Sequence, residues 1–216
     1  MLRSSFCVSL FVLWYGICAP AVLAETWSFE GNQVGICPDG WEQAKTGEGP
    51  GCIWQVVADA SASDGVHALA QMSSDGPRPV FNLCIVEDSA FQDPEISVSV
   101  KPLSGVVDQG GGPVWRYVDA NNYYVARLNP LETNFRVYKV IDGVRTQLQS
   151  AEVDEPAGEW HTLRIEQRDN HIRGYLNGKL LLEVTDNSLA DAGRIGLWTK
   201  ADAVTLFDNL TVDEAK

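Results

Sequence analysis

Arg116, Arg127, Glu132 and Asn134 fall within a stretch of 19 residues, and their types suit recognition of an oxygen-rich ligand. A guanidinium is planar and presents paired donors, so each arginine can hold two hydroxyls or one ketone oxygen. Glu132 and Asn134 follow Arg127 past the end of a strand, where a loop can overhang a sheet face. Glu132 is the carboxylate nominated as a proton-abstracting base. Further along, Trp198 and Lys200 alternate with Leu197 and Thr199 and so share one face of a late strand. Trp198 and Tyr123 each offer an aromatic plane on which an apolar ligand face can stack. Each residue has a plainer reading too. The arginines can be paired with neighbouring carboxylates, Glu132 can be a solvated loop acid, and the aromatic rings can be core. His161 is in phase with Leu163 and Ile165, which suits a hydrogen-bonded core histidine better than a catalytic one.

The elements that must position these groups are strands. Ile96, Val98 and Val100 alternate with Ser97, Ser99 and Lys101, the period-two pattern of a half-buried strand. Asp142-Gly143, Asp169-Asn170 and Asn177-Gly178 are two-residue hairpin signals between apolar runs. With Asp119 to Asn122 as a four-residue loop, Arg116 opposes Val125 and Val118 opposes Tyr123. One face of that hairpin then carries Trp115, Tyr117, Tyr124, Ala126 and Leu128, and the other carries Val114, Arg116, Val118, Tyr123, Val125 and Arg127. The next hairpin pairs Ile141 with Val144, Lys139 with Thr146 and Val137 with Leu148, leaving Arg136, Tyr138, Arg145, Gln147 and Gln149 on a polar face. A third puts Leu163, Ile165, Ile172 and Leu176 together, with Glu166 facing Arg173 as a cross-strand ion pair. About a dozen short strands, no long helical period and no internal linker indicate one all-β domain, a sandwich or barrel.

Of the 216 residues, 45% are hydrophobic and 21% charged, a balance that argues against wholesale disorder. The formal net charge is −13, which disfavours nucleic acid and anionic membrane surfaces as partners. Residues 1–24 read as a signal peptide: Arg3, an apolar core from Cys7 to Ile17, and small residues at Val22-Leu23-Ala24. The chain is therefore expected to be exported, periplasmic or extracellular, as one domain over 25–216. No later stretch is apolar enough for membrane insertion, and a monomer is expected. Cleavage leaves Cys37, Cys52 and Cys84. Cys37 and Cys52 lie in Gly- and Pro-rich sequence while Cys84 lies in a buried-strand pattern, so the expected disulfide is Cys37–Cys52, worth roughly 3 kcal/mol in the chain-entropy picture. No CxxC or HExxH motif is present, and the three histidines are widely spaced.

Several runs carry a family resemblance: Gly112-Pro113-Val114-Trp115-Arg116-Tyr117, Asn122 to Asn129, Asn134 to Lys139, Glu159-Trp160-His161-Thr162-Leu163, and Gly193 to Lys200 through Phe207-Asp208-Asn209. In this order they resemble the bacterial 3-keto-disaccharide hydrolase domain across roughly residues 26–213. The resemblance implies a two-sheet concanavalin A-like jelly-roll β-sandwich, related to laminin G and family-sixteen glycosidase folds, with a sugar or modified sugar on its concave face. Arg116, Tyr123, Arg127, Asn134, Trp198 and Lys200 are the expected substrate-binding residues. It also implies cleavage of 3-keto-glycosides in some members, by proton abstraction at C2 and elimination across C1–C2. No cofactor is implied, although the fold class often carries a structural calcium and Asp208-Asn209 is a candidate contributor. The family-sixteen pair of glutamates is absent: Glu152-Val153-Asp154-Glu155 continues into Pro156-Ala157 where the second glutamate would fall. Three readings follow: a carbohydrate-binding domain first, a 3-keto-glycoside hydrolase or lyase second, and a laminin G-like protein-binding domain third.

Overall fold

The computed structural model describes residues 24–214; all of the expected signal peptide but Ala24 lies outside them. Fifteen strands are present among the described residues: β1 (Glu25–Trp27), β2 (Trp41–Thr46), β3 (Trp54–Ala58), β4 (His67–Gln71), β5 (Phe81–Val86), β6 (Pro94–Ser104), β7 (Gly111–Asp119), β8 (Asn122–Asn129), β9 (Asn134–Ile141), β10 (Val144–Glu152), β11 (His161–Arg168), β12 (His171–Leu176), β13 (Lys179–Thr185), β14 (Arg194–Lys200) and β15 (Val204–Glu214). They form two antiparallel sheets. The first runs β13-β12-β11-β6-β15-β4-β3, with β1 added to β15, and the second runs β10-β9-β8-β7-β14-β5-β2. This is the jelly-roll sandwich expected from the sequence.

The inner faces meet in one apolar core. Val98, Val100, Leu163, Ile165, Ile172 and Phe207 of the first sheet pack on Trp115, Tyr124, Ala126, Leu128, Phe135, Val137 and Leu197 of the second. The tight turns form where the sequence signals them. Asp142-Gly143 (φ 50° and 76°) and Asn177-Gly178 (φ 49° and 80°) both hold two successive positive φ angles, the requirement of the hairpin turn whose twist matches its strands. The third hairpin also pairs as expected, Leu163 with Leu176 and Glu166 with Arg173. Its ion pair does not form: Arg173 turns to Glu183 at 2.9 Å and Glu166 takes Arg164 instead.

Two irregularities move side chains from their expected faces. Between Trp115 and Asp119, three residues of β7 stand against one of β8, so the turn tightens to Ala120-Asn121 and Trp115 pairs with Tyr124. Arg116 takes φ 45° there. Tyr117 consequently joins the outer face of the second sheet rather than the core. In the next hairpin, Leu148 is an extra residue, so Val137 pairs with Gln149 and not with Leu148.

The expected Cys37–Cys52 bridge is not what the geometry brings together. All three thiols are free, and Cys37 Sγ lies 3.8 Å from Cys84 Sγ. Cys52 donates instead to the Ala44 carbonyl at 2.9 Å. The cause is strand order: β2, which Cys37 precedes, pairs with β5, which carries Cys84.

Candidate functional site

The outer face of the second sheet holds a second apolar cluster, Phe81, Leu83, Ile85, Val114, Tyr117, Tyr123, Val125, Tyr138, Val140 and Trp198. Such a face would be open water if the sheet were flat. It is curled. Neighbouring strands sit about 4.8 Å apart, which would separate β10 from β5 by about 24 Å along a flat sheet. Yet the Arg145 guanidinium of β10 stands 5.2 Å from the Phe81 ring of β5 and 5.7 Å from the Trp198 ring of β14. Thr46 on β2 likewise meets the Tyr123 hydroxyl of β8 at 2.9 Å. The outer face is thus a concave trough whose aromatic side chains are buried along its floor, covered by side chains such as Arg145.

Arg127 stands at one end of this trough, fully buried. Its Nη1 donates to both oxygens of buried Asp108 at 3.0 Å. Its Nη2 donates to Glu132 at 2.7 Å and to the Asn134 side-chain oxygen at 3.1 Å. Lys200 closes the group, 2.8 Å from Asp108, and Arg136 reaches Glu132 at 3.0 Å. Partial burial pushes the Glu132 carboxyl up, but Arg127, Asn134 and Arg136 outweigh it and hold that carboxyl at about 2. A carboxylate so stabilised is a weak base. Burial opposes the charge on Arg127, and the facing carboxylates, Asp108 first, more than restore it.

Arg127, Glu132, Asn134 and Lys200 therefore converge in one hydrogen-bonded network. Tyr123 and Trp198 lie on the same face, both buried, with Trp198 Nε1 donating to the Tyr123 hydroxyl at 3.2 Å. They build the floor of the trough. Burial pushes the Tyr123 phenol well above its ordinary value, which keeps it neutral.

Arg116 does not join this group. Its guanidinium donates to the carbonyls of Gln92 (2.9 Å), Leu189 (2.6 Å) and Asp169 (2.8 Å), and to Asp93 at 3.1 Å. Asp169 belongs to the β11–β12 turn of the first sheet, so Arg116 crosses the end of the sandwich and ties the two sheets together. The β7 irregularity is what turns it away from Arg127. Arg116 also lines a cavity of about 330 Å³ with Gln92, Asp169, Asn170, Asn187 and Ala190. Arg116→Ala is expected to cost about 2 kcal/mol in urea unfolding, because it removes a buried guanidinium that ties four partly buried acceptors together. Ligand binding in the trough should survive that change within about twofold under folding conditions.

Sequence reasoning passed over three contributors. Asp108 is a lone acid in a loop, with nothing local to mark it. Arg145 and Tyr138 were legible as members of a polar face, but not as neighbours of Trp198, since that contact exists only once the sheet curls. Arg145 lies 4.3 Å from the Tyr138 ring centroid. The Asp208 oxygens accept from Ser63 Oγ and from the amides of Asp64 and Asn209. Among the described residues no group of three or more His, Cys, Asp or Glu is placed to hold a metal. His161 is buried and meets the Pro156 carbonyl at 2.8 Å.

No curated protein matches the chain in sequence. Several solved structures share its fold. The carbohydrate-binding module CBM66 from Bacillus subtilis superposes with a TM-score of 0.65 at 19% identity, covering 81% of this chain and 96% of that one. The Bacillus licheniformis β-glucanase gives 0.60 at 14% identity, with 89% and 98% covered. Domain 4 of AbnA, an extracellular arabinanase from Geobacillus stearothermophilus solved with arabinotriose, gives 0.56 at 15% identity, with 88% and 91% covered. At these identities the likeness establishes the jelly-roll fold alone. The family described as the 3-keto-alpha-glucoside-1,2-lyase-like domain matches residues 29–213, nearly the whole of the described chain, and the protein belongs to that family.

Proposed function

We propose that the protein binds a saccharide in the trough on the outer face of its second sheet. The observation that carries this reading is the meeting there of a dense hydrogen-bonding network, Arg127-Glu132-Asn134-Arg136, with Arg145, whose guanidinium covers the buried rings of Tyr138, Phe81 and Trp198. Sugar hydroxyls need convergent donors and acceptors, and the partly exposed Glu132 and Arg136 offer them above a rigid, buried aromatic layer. The fold neighbours described as a carbohydrate-binding module and as an arabinanase domain holding arabinotriose support it.

The family's description favours a second reading, elimination from a 3-keto-glycoside. A base would take the C2 proton, the C3 ketone would accept the electron pair, and the C1–O bond would then break as the leaving oxygen takes up a proton. Glu132, held at about 2, is poorly suited to the first step. The Tyr138 hydroxyl, 3.5 Å from Arg136 Nη1 and with Arg145 over its ring, is the better placed acceptor in this reading. One panel separates the two. The purified chain is incubated with glycosides and their 3-keto derivatives, with binding followed by calorimetry and products by mass spectrometry. Saturable binding without turnover supports the binding domain. Release of aglycone from the oxidised set alone, lost in Tyr138→Phe, supports the elimination. Neither binding nor turnover overturns both.

We also propose export, on the strength of Arg3, the apolar stretch from Cys7 to Ile17 and the small residues before Glu25. No helix among the described residues is long and apolar enough to cross a membrane. In an oxidising compartment the bridge expected from the geometry is Cys37–Cys84, worth about 4 kcal/mol in the chain-entropy picture. Refolding in a glutathione buffer, where oxidised glutathione takes up the two electrons and two protons, should yield a Cys37–Cys84 linked peptide on proteolytic mapping. A Cys37–Cys52 peptide would contradict this pairing.

A further inference from the structure

Arg145 is the cation of the trough that its neighbours leave unsatisfied. Arg127 is paired with Asp108, Glu132 and Asn134, only its Nε being left over, Arg136 with Glu132 and Ser150, and Lys200 with Asp108. Arg145 stacks its guanidinium over Tyr138, Phe81 and Trp198, at 4.3, 5.2 and 5.7 Å from the ring centroids. Its Nη1 is buried and has no hydrogen-bond partner among the described residues. Rings stabilise the charge through their faces but leave the in-plane N–H donors of the fork unfilled.

The charge at the Arg127 end of the face points the same way. Four cations, Arg127, Arg136, Arg145 and Lys200, surround two carboxylates, Asp108 and Glu132. That is a local surplus of two positive charges in a chain whose formal net charge is −13. A cation desolvated without a counter-charge is costly, and a ligand that supplies the counter-charge recovers the cost on binding. Burial, aided by the Arg127 charge, pushes the Arg145 guanidinium below its ordinary value, in keeping with that cost.

We infer that the saccharide taken by this trough carries an anionic substituent, a carboxylate or a sulfate ester, received by the Arg145 fork. The inference rests on the reading of the trough as a saccharide site and adds the chemical class of its ligand. A fork on an aromatic shelf matches two oxyanion oxygens side by side, which neither a lone hydroxyl nor a ketone offers.

The test is calorimetric titration of the full chain with methyl glucoside, methyl glucuronide and methyl glucoside 6-sulfate, each at low and high salt. At least one anionic glycoside is expected to bind ten-fold or more tightly than the neutral one, with the advantage shrinking as salt rises. The tighter of the two anionic arms identifies the group. Arg145→Gln should erase the advantage while near-ultraviolet circular dichroism stays unchanged, and Arg145→Lys, which keeps the charge but not the fork, should retain part of it. Equal affinity for neutral and anionic glycosides overturns this inference and leaves the saccharide reading standing. An advantage that persists in Arg145→Gln also overturns it. Failure of all three glycosides to bind removes the saccharide reading with it.

Discussion

Replacing Asp108 by alanine is expected to destabilise the fold by about 3–5 kcal/mol, the cost of breaking a buried ion pair from one side. Asp108 has no exposed surface. It accepts from Arg127 through both oxygens, from Asn129 at 3.0 Å and from Lys200 at 2.8 Å. Without it the buried guanidinium keeps only its Nη2 partners, and its desolvation is no longer offset. The loss would appear as a lower urea midpoint with an unchanged slope. The double variant Asp108→Leu/Arg127→Met should lose less than Asp108→Ala alone, since it removes the stranded charge. A cost under about 1 kcal/mol for Asp108→Ala would show the pair to be water-exposed in solution.

Arg127→Leu is expected to have the second large effect, on Glu132. With the guanidinium gone, Asn134 and Arg136 still favour the charged form, but the Glu132 carboxyl should rise from about 2 toward the ordinary carboxylate range. The sign of the accompanying stability change follows from the depressed value. In the natural chain the Glu132 contribution is complete at neutral pH and is lost as pH falls below the ordinary carboxylate range toward about 2. Its side chain is 38% exposed, so solvent screening limits that contribution to roughly 1 kcal/mol. The variant should lose most of this acid-dependent component and leave Asp108 with Lys200 and Asn129 alone, for a total loss near 3 kcal/mol at neutral pH. Carbon-detected NMR of the Glu132 carboxyl reads the titration directly. An unchanged Glu132 titration in Arg127→Leu would contradict the network as described.

The sequence patterns that survived contact with the structure are those with a local cause. Asp-Gly and Asn-Gly turns demand positive φ at two successive residues, and both hairpins they announce are present. The alternation of Leu163, Ile165 and Ile172 places them in the core because one face of their sheet is dry. What local reasoning missed are the insertions. Nothing in Val114-Trp115-Arg116-Tyr117 marks an irregular pairing, because Tyr117 suits either face of a sheet with two apolar sides. That one slip sends Arg116 to Asp93 and Asp169 while Arg127 stays in the trough. Strand order was equally hidden, and with it the approach of Cys37 to Cys84. The Arg145 contact depends on curvature accumulated across six strands, which no residue spacing within a hairpin encodes.

The claim that the trough on the second sheet is the binding surface is tested most directly by the tryptophan indole signals. Trp198 lies in the trough, Trp115 and Trp54 lie in the inter-sheet core, and Trp160 sits over Lys101 on the first sheet. A titration with the glycosides that bind, followed by two-dimensional proton–nitrogen NMR and assigned with Trp198→Phe, should move the Trp198 Nε1–H signal, which donates to Tyr123 beneath Arg145. The Trp160 and Trp54 signals should stay in place. Movement of Trp160 with Trp198 unmoved would put the ligand on the opposite sheet and contradict the account.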